Sequence, residues 1–279
     1  IRDTFRKLRF VFEMSERTFF EHYASKRNDG SNNYFKICKE YQASLSSKLP
    51  ELPFSNIWIA SRIAGLIPAY SSIHFGILNS LRSWNFFNLD SSLNCFSNVG
   101  GFGIDGGLSS LIGASFASPE KLFFGVIGDL AFFYDMNSLG NRHIDNNVRI
   151  LLINNGKGTE FKQFFHPASI FGEAADEYIA AAGHFGSKSK IKHFAEDLGF
   201  EYFSASDKQQ FEDVYKRFVV PYVTEKPILF EVFTDSKEEN EALEIILNIE
   251  TNRKVQTKKM IKQAVGEKGV RLLKSLTQK

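Results

Sequence analysis

Six short apolar runs, each followed by a polar turn and most by a helix-period stretch, set the terms on which residues 55–249 fold. The runs at 71–78, 93–98, 122–127, 149–153, 201–203 and 228–233 read as strands. The stretches at 55–66, 132–143, 191–198, 209–219 and 238–249 read as helices, the first capped by Ser55, with a short helix from Asn79 and another ending at Ala117. Strands that are apolar throughout are buried on both faces, and the helices between them supply the cover. The alternation predicts an α/β fold, a three-layer sandwich with a mostly parallel central sheet. In such a sheet ligands bind beyond the carboxyl ends of the strands. Chemistry is therefore to be sought at Asn79-Ser80, in 98–107, at Gly128-Asp129 and in 154–161.

Two constellations stand at those ends. Gly101-Phe102-Gly103-Ile104-Asp105-Gly106 is a formal GxGxxG between a strand and a helix, the pattern of a dinucleotide turn. Asp129 would be its acid, although there it would face phosphates rather than a ribose. The same glycines would equally let a helix pack close to the sheet, and both readings stand. The second constellation pairs Gly128-Asp129 with Asn154-Asn155, Asp129 and Asn155 being 26 residues apart. One strand–helix–strand unit between them places their ends side by side. A carboxylate and an amide oxygen are hard donors that suit Mg2+, which commonly arrives with a polyphosphate. A helix opening near Phe132 would aim its positive end at the same phosphates. Singly, Asp129 reads as a helix cap and Asn154-Asn155 as a turn; as a pair at this spacing they read as a metal–phosphate site.

Gly128-Asp129 followed by Asn154-Asn155 resembles the cofactor motif of thiamine-diphosphate-dependent enzymes, a GD and an NN two to three dozen residues apart. Within that superfamily, Asn79-Ser80, NVGGFGIDG at 98–106, GDLAFFYDMN at 128–137 and INNGKGTEF at 153–161 are most similar to the menaquinone-pathway carboligases, the 2-succinyl-5-enolpyruvyl-6-hydroxy-3-cyclohexene-1-carboxylate synthases. The resemblance implies a thiamine-diphosphate-binding fold in three parts. Residues 1–48 would be the remnant of a preceding middle domain with its linker, 49–250 the pyrophosphate-type binding domain, and 251–279 a basic helical tail. It implies thiamine diphosphate and Mg2+ as cofactors, the metal held by Asp129, Asn155 and the backbone carbonyl of Lys157. Asn79, Ser80, Phe102, Gly103, Ile104, Gly128, Asp129, Leu130 and Asn155 would bind the cofactor. Ile104 would prop its bent shape, backbone of Phe102 and Ile104 would meet the aminopyrimidine, and Glu160 and Phe161 would face substrate.

The implied reaction decarboxylates a 2-oxo acid and passes the acyl carbanion equivalent to an acceptor, nearest to 2-oxoglutarate and isochorismate. A related carboligase or decarboxylase with another acceptor, and a non-catalytic cofactor-binding subunit, are the alternatives; a nicotinamide dehydrogenase needs Asn154-Asn155 to be an accident. Several residues depart from the synthase pattern. Val99 stands where an arginine is expected, Glu160 replaces an isoleucine and Lys157 a glycine, and Arg82 lies closer to Asn79-Ser80 than the usual arginine. Losing a carboxylate-binding arginine and gaining a carboxylate argues for a less acidic acceptor. The glutamate that protonates the cofactor's pyrimidine lies, in this superfamily, in a separate pyrimidine-binding domain. The chain is thus expected to be inactive alone and to work in a homodimer or homotetramer with that domain, from the same gene or a partner chain.

Composition narrows the remaining classes. With 43% hydrophobic and 24% charged residues the chain is neither disordered nor collagen-like. Cys38 and Cys95 are too few for a disulfide framework and lack CxxC spacing, which points to a reducing, cytoplasmic setting. No apolar run reaches ~18 residues, so no membrane span is expected. The chain opens on Ile1 without a signal pattern and reads as a piece of something longer. Residues 251–279 hold nine basic residues against Glu267, so this tail carries +8 of a chain whose whole charge is +2, and the rest carries −6. A nucleic-acid or membrane tail is one reading. Val255, Ile261, Val265, Leu272 and Leu276 at helical spacing favour an amphipathic helix instead, without a nucleic-acid partner. His166 and His184 follow the NN pair and are expected to be structural, with proton transfer by His166 beside Glu160 the alternative. Phe161, Phe164 and Phe165 would line a substrate pocket or simply pack; Trp58 and Trp84 carry no signal. Residues 5–23 and 34–49 read as two helices.

Overall fold

In a computed structural model the chain is described at residues 3, 7–24, 33–99, 101, 103–179 and 188–250. Gly100, Phe102, His184 and the basic tail lie outside the described residues. The chain divides into two units, Ile1–Leu49 and Pro50–Lys279. The first holds helices α1 (Glu16–Ala24) and α2 (Asn33–Ser47), neither with a buried residue. The helix expected over 5–23 is shorter at its start, because Ser15 accepts the N–H of Thr18 at 3.1 Å and caps it there.

In the second unit the described strands form one sheet of six, in the order β2-β1-β3-β4-β6-β5, and every neighbouring pair is parallel. They are β1 (Ser72–Phe75), β2 (Asn94–Ser97), β3 (Phe123–Gly128), β4 (Val148–Asn154), β5 (Glu201–Ala205) and β6 (Ile228–Phe233). The first is shorter than the apolar run that announced it. Gly76 N–H closes the ladder on Val126 O, and Leu78, at φ +63°, turns the chain into α4 (Asn79–Trp84). The sheet order reverses between β1 and β3, which puts a crevice at their carboxyl ends.

Two helical layers cover the sheet. On one face Leu108, Leu111 and Ile112 of α5 (Gly107–Ser115), Phe132 of α6 (Asp129–Asp135) and Ile191 of α8 (Lys190–Asp197) pack on Phe123, Ile127, Val148, Ile150 and Leu152. On the other, Trp58 of α3 (Asn56–Ile63) meets Phe211 of α9 (Lys208–Phe218), and Phe218 lies between Phe124 and Phe230. Each such ring, fully buried, contributes about 1.5–3 kcal/mol. Arg149 of β4 is wholly buried in this second layer. Its guanidinium donates to the carbonyls of Phe218, Val220 and Tyr222, where α9 ends. Burial pushes its pKa down to about 10.

Two local expectations change. The helix after β3 opens at Asp129 rather than near Phe132 and stops at Asp135, whose carboxylate is drawn to Ser109 N–H (2.7 Å) and Oγ (2.9 Å); a 3-10 turn, Met136–Gly140, follows. The stretch after Asn155, to which the sequence assigns no helix before 191, carries 3-10 turns at Glu160–Lys162 and Pro167–Ala175 and a helical turn α7 (Asp176–Ile179). His166 starts the second of these: its Nδ1 accepts the Ala168 N–H at 3.1 Å, with Pro167 in the first position. Helix α10 (Ser236–Leu247) closes the fold, capped by Asp235. Among the described residues no helix is long and apolar enough to cross a membrane.

Candidate cofactor site

A cavity of about 290 Å³ opens beyond the carboxyl ends of β1, β3, β4 and β6. It brings together Asn79, Ser80, Ile104, Gly128, Asp129, Leu130, Asn155, Lys157, Glu160 and Phe161. Gly103 does not line it. The register of β3 on β4, Gly128 against Ile153, sets Asp129 beside Asn154 across adjacent strand ends.

Asp129 is 3% exposed and is the first residue of α6, Gly128 being the cap. Its Oδ1 accepts the Leu130 N–H at 2.8 Å and its Oδ2 the Gly156 N–H at 2.7 Å. The same Gly156 N–H also reaches Asn154 Oδ1 at 3.1 Å, while Asn155 Oδ1 accepts the Lys157 N–H at 3.3 Å. Gly156 sits at φ +79°, a backbone shape that glycine takes freely. The result is a tight loop that, with Asp129, brings one carboxylate and the Asn155 amide to the cavity. Among the described residues no group of three or more His, Cys, Asp or Glu side chains could hold a metal. A cation beside Asp129 would draw on its carboxylate together with neutral oxygens such as that of Asn155, a donor set that fits Mg2+ bringing phosphate oxygens of its own.

The mouth of the cavity is a polar network. Arg82 donates to Glu160 through two bonds, Nη1 to Oε2 at 3.1 Å and Nη2 to Oε1 at 3.0 Å, and to Asn79 Oδ1 at 2.8 Å. Asn79 Nδ2 donates to Thr159 Oγ1 at 2.9 Å, and Gln163 Nε2 joins Asn79 and Glu160. Glu160 is thus neutralised by Arg82, and Asn79 is engaged with protein on both ends of its amide. Phe161 is 42% exposed. Lys157 Nζ donates to Asp176 at 3.0 Å, and Lys162 pairs with the same carboxylate. Lys162, then Lys157, hold the Asp176 carboxyl below the usual range, and Asp176 raises the Lys157 ammonium in turn.

Two more carboxylates stand behind these residues. Glu231 of β6 is 1% exposed; it accepts from Asn154 Nδ2 at 2.7 Å and from the Tyr202 hydroxyl at 2.8 Å, and burial raises its pKa. Glu239 of α10 lines the cavity and accepts the Asn56 N–H at 2.9 Å; burial pushes its carboxyl up to about 7. Asn56 Oδ1 in turn accepts from Trp84 Nε1 at 3.1 Å, which ties α4 to α3. In the glycine-rich turn Gly106 adopts φ +75°, and a Cβ there would lie 2.9 Å from Asn98 Nδ2. Asn98 holds the turn by donating to Asp105 O at 3.0 Å. The acid that a dinucleotide reading requires, Asp129, is already committed to Leu130 and Gly156.

Sequence reasoning passed over Glu231, Glu239, Thr159 and Gln163. A lone charge in the apolar strand ILFEVF was a usable signal for Glu231. Thr159 and Gln163 carry none, because their partner Asn79 lies 80 and 84 residues away.

A protein-family model described as thiamine pyrophosphate enzyme, C-terminal TPP binding domain, matches residues 79–232. Three proteins called 2-succinyl-5-enolpyruvyl-6-hydroxy-3-cyclohexene-1-carboxylate synthase are similar to this chain. That of Bacteroides fragilis is 32% identical over 231 residues, 82% of this chain and 40% of the relative. That of Bacteroides thetaiotaomicron is 31% identical over 239 residues, 85% and 41% respectively. That of Christiangramia forsetii is 33% identical over 195 residues, 70% and 32%. The chain thus spans well under half the length of these relatives. Among solved structures, the Rhodococcus jostii RHA1 thiamine diphosphate-dependent 4-hydroxybenzoylformate decarboxylase superposes with a TM-score of 0.53 at 19% identity, over 67% of this chain and 33% of that one. At that identity the likeness speaks for the α/β fold alone. With the family match lying across the cavity's own residues, the chain belongs to the thiamine pyrophosphate enzymes and carries their C-terminal TPP-binding domain.

Proposed function

We propose that this chain grips thiamine diphosphate through Mg2+ held by Asp129, Asn155 and the backbone carbonyl of Lys157. It then serves as the diphosphate-binding part of a 2-oxo acid decarboxylating carboligase. The observation that carries the reading is Asp129: a carboxylate buried at the floor of the cavity, both oxygens fixed by backbone N–H groups, beside the loop bearing Asn155 and Lys157. When bound, the cofactor supplies a carbon nucleophile for the 2-oxo acid's carbonyl and a sink for the electrons left when CO2 departs. The protein's part is orientation and charge. Leu130 and Gly156 N–H groups hold the Asp129 carboxylate in one orientation, so metal binding does not first require the group to be ordered. Lys157 and Lys162 bring positive charge to the cavity wall, and Ile104 supplies the apolar bulk that would bear on the cofactor's bend.

The similarity to the menaquinone-pathway synthases makes 2-oxoglutarate and isochorismate the first donor and acceptor to try. The bidentate Arg82–Glu160 pair favours a second reading, a carboligase whose acceptor is less acidic, because the guanidinium at the mouth is already neutralised. Activity would need the pyrimidine-binding domain, in the same polypeptide or a partner, in a homodimer or homotetramer. A cytoplasmic setting suits the free, exposed cysteines Cys38 and Cys95. The test is CO2 release from a panel of 2-oxo acids by the chain joined with that domain, cofactor and Mg2+ supplied. Release that Asp129→Ala abolishes supports the reading; no release from any 2-oxo acid sinks it.

A further inference from the structure

We propose that Glu231 is a positioning residue for the loop of metal ligands, holding Asn154 so that Gly156, Asn155 and Lys157 are set against Asp129. The purpose assigned to that loop rests on the cofactor reading above; the hydrogen-bond linkage itself does not. Glu231 is the one charged residue in β6, and no cation pairs with it among the described residues. A carboxylate taken this far from water costs several kcal/mol unless its oxygens are bonded. Both are: Oε1 by Asn154 Nδ2 at 2.7 Å, Oε2 by the Tyr202 hydroxyl at 2.8 Å.

The pairing with Asn154 determines which way that amide faces. Glu231 Oε1 accepts from Asn154 Nδ2, so the NH2 end of Asn154 points at Glu231 and its oxygen at the loop. That oxygen accepts the Gly156 N–H at 3.1 Å, and the same N–H donates to Asp129 Oδ2 at 2.7 Å. Tyr202, Glu231, Asn154, Gly156 and Asp129 thus form one continuous series from β5 to the floor of the cavity. Remove the carboxylate and the Asn154 amide is free to flip, setting its NH2 against the Gly156 N–H, donor facing donor. The Gly156 N–H then loses one of its two acceptors.

The experiment uses the full 279-residue chain as Glu231→Ala, Glu231→Gln and Tyr202→Phe. Two quantities are read: exchange of the Gly156 amide proton relative to that of Leu151 in mid-β4, and calorimetric affinity for thiamine diphosphate with Mg2+ and with EDTA. Glu231→Ala is expected to speed Gly156 exchange about tenfold beyond any change at Leu151, and to weaken Mg2+-dependent binding about tenfold, the scale of losing a group that orients metal ligands. Glu231→Gln keeps both within about threefold, because its amide oxygen still accepts from Asn154 and the Tyr202 hydroxyl can turn to accept. Tyr202→Phe removes a bond to the same carboxylate and lowers the melting temperature, yet leaves Gly156 within about threefold. Gly156 exchange that merely follows Leu151 overturns the proposal, as does a Gln variant as impaired as Ala, or a Phe variant that loosens Gly156 equally. Should Glu231→Ala not fold, Asn154→Ser cuts the same link from the loop side and is held to the same outcomes. A wild-type chain without Mg2+-dependent binding would refute the cofactor reading, while the Gly156 amide still decides the role of Glu231.

Discussion

Glu160→Gln removes the negative half of the pair at the cavity mouth, and the structure sets the size of the effect. Two bonds of 3.0 and 3.1 Å join it to Arg82, with the side chains 22% and 28% exposed. Fully exposed ion pairs contribute about 0.2–1 kcal/mol, and hydrogen bonds to charged groups up to about 3. A bidentate pair that is largely but not wholly shielded should therefore couple by about 1.5 kcal/mol. Arg82 keeps Asn79 Oδ1 at 2.8 Å and the Phe165 ring at 5.7 Å, so in the variant it stays in place as an uncompensated cation. Urea unfolding of Glu160→Gln, Arg82→Met and the double variant gives the coupling directly. In ligand binding, 1.5 kcal/mol is about tenfold, so Glu160→Gln should strengthen binding of a dicarboxylic 2-oxo acid about tenfold relative to a monocarboxylic one. A coupling below about 0.3 kcal/mol, or no change in that preference, refutes the view that Glu160 occupies the arginine.

Three further outcomes follow from the geometry. Gly106→Ala forces a side chain into φ +75° and against Asn98, and should cost about 2 kcal/mol in urea unfolding; a loss under about 0.5 would show the turn relaxing freely. Arg149→Met orphans the carbonyls at the end of α9 and should cost about 3 kcal/mol, read the same way; a neutral result would mean water replaces the guanidinium. Glu239 has its carboxyl raised to about 7 from an ordinary 4.5, so the folded chain holds that proton more tightly than the unfolded one. Its contribution is therefore full below about 4.5 and is lost as pH rises towards 7; Glu239→Gln should flatten the fall in melting temperature across that window, and an unchanged slope would contradict the assignment.

The sheet was legible because β3, β4 and β6 at its centre are apolar runs of six or seven residues, the signature of parallel strands buried on both faces, and the flanking runs alternate with helices around them. Strand ends were less so: nothing local marks Leu78 as the left-handed residue that cuts β1 short. Asp129 and Asn155 were legible as a motif, since one strand–helix–strand unit fixes their separation. What holds them was not, because Glu231 meets Asn154 across 77 residues and Asn79 meets Gln163 across 84. The overlong helix at 5–23 shows the opposite error. An aromatic-rich periodic run extends upstream of Ser15, but α1 has no buried residue, so no core contact draws the helix past its cap.

The measurement that bears most directly on the site is a calorimetric titration of thiamine diphosphate into the 279-residue chain, with Mg2+ and with EDTA, alongside Asp129→Ala. Binding that requires the metal and disappears with the Asp129 carboxylate is the expected result. Binding equally strong in EDTA, or none up to about 1 mM ligand with Mg2+ present, would contradict the assignment of Asp129, Asn155 and Lys157 as the metal's holders.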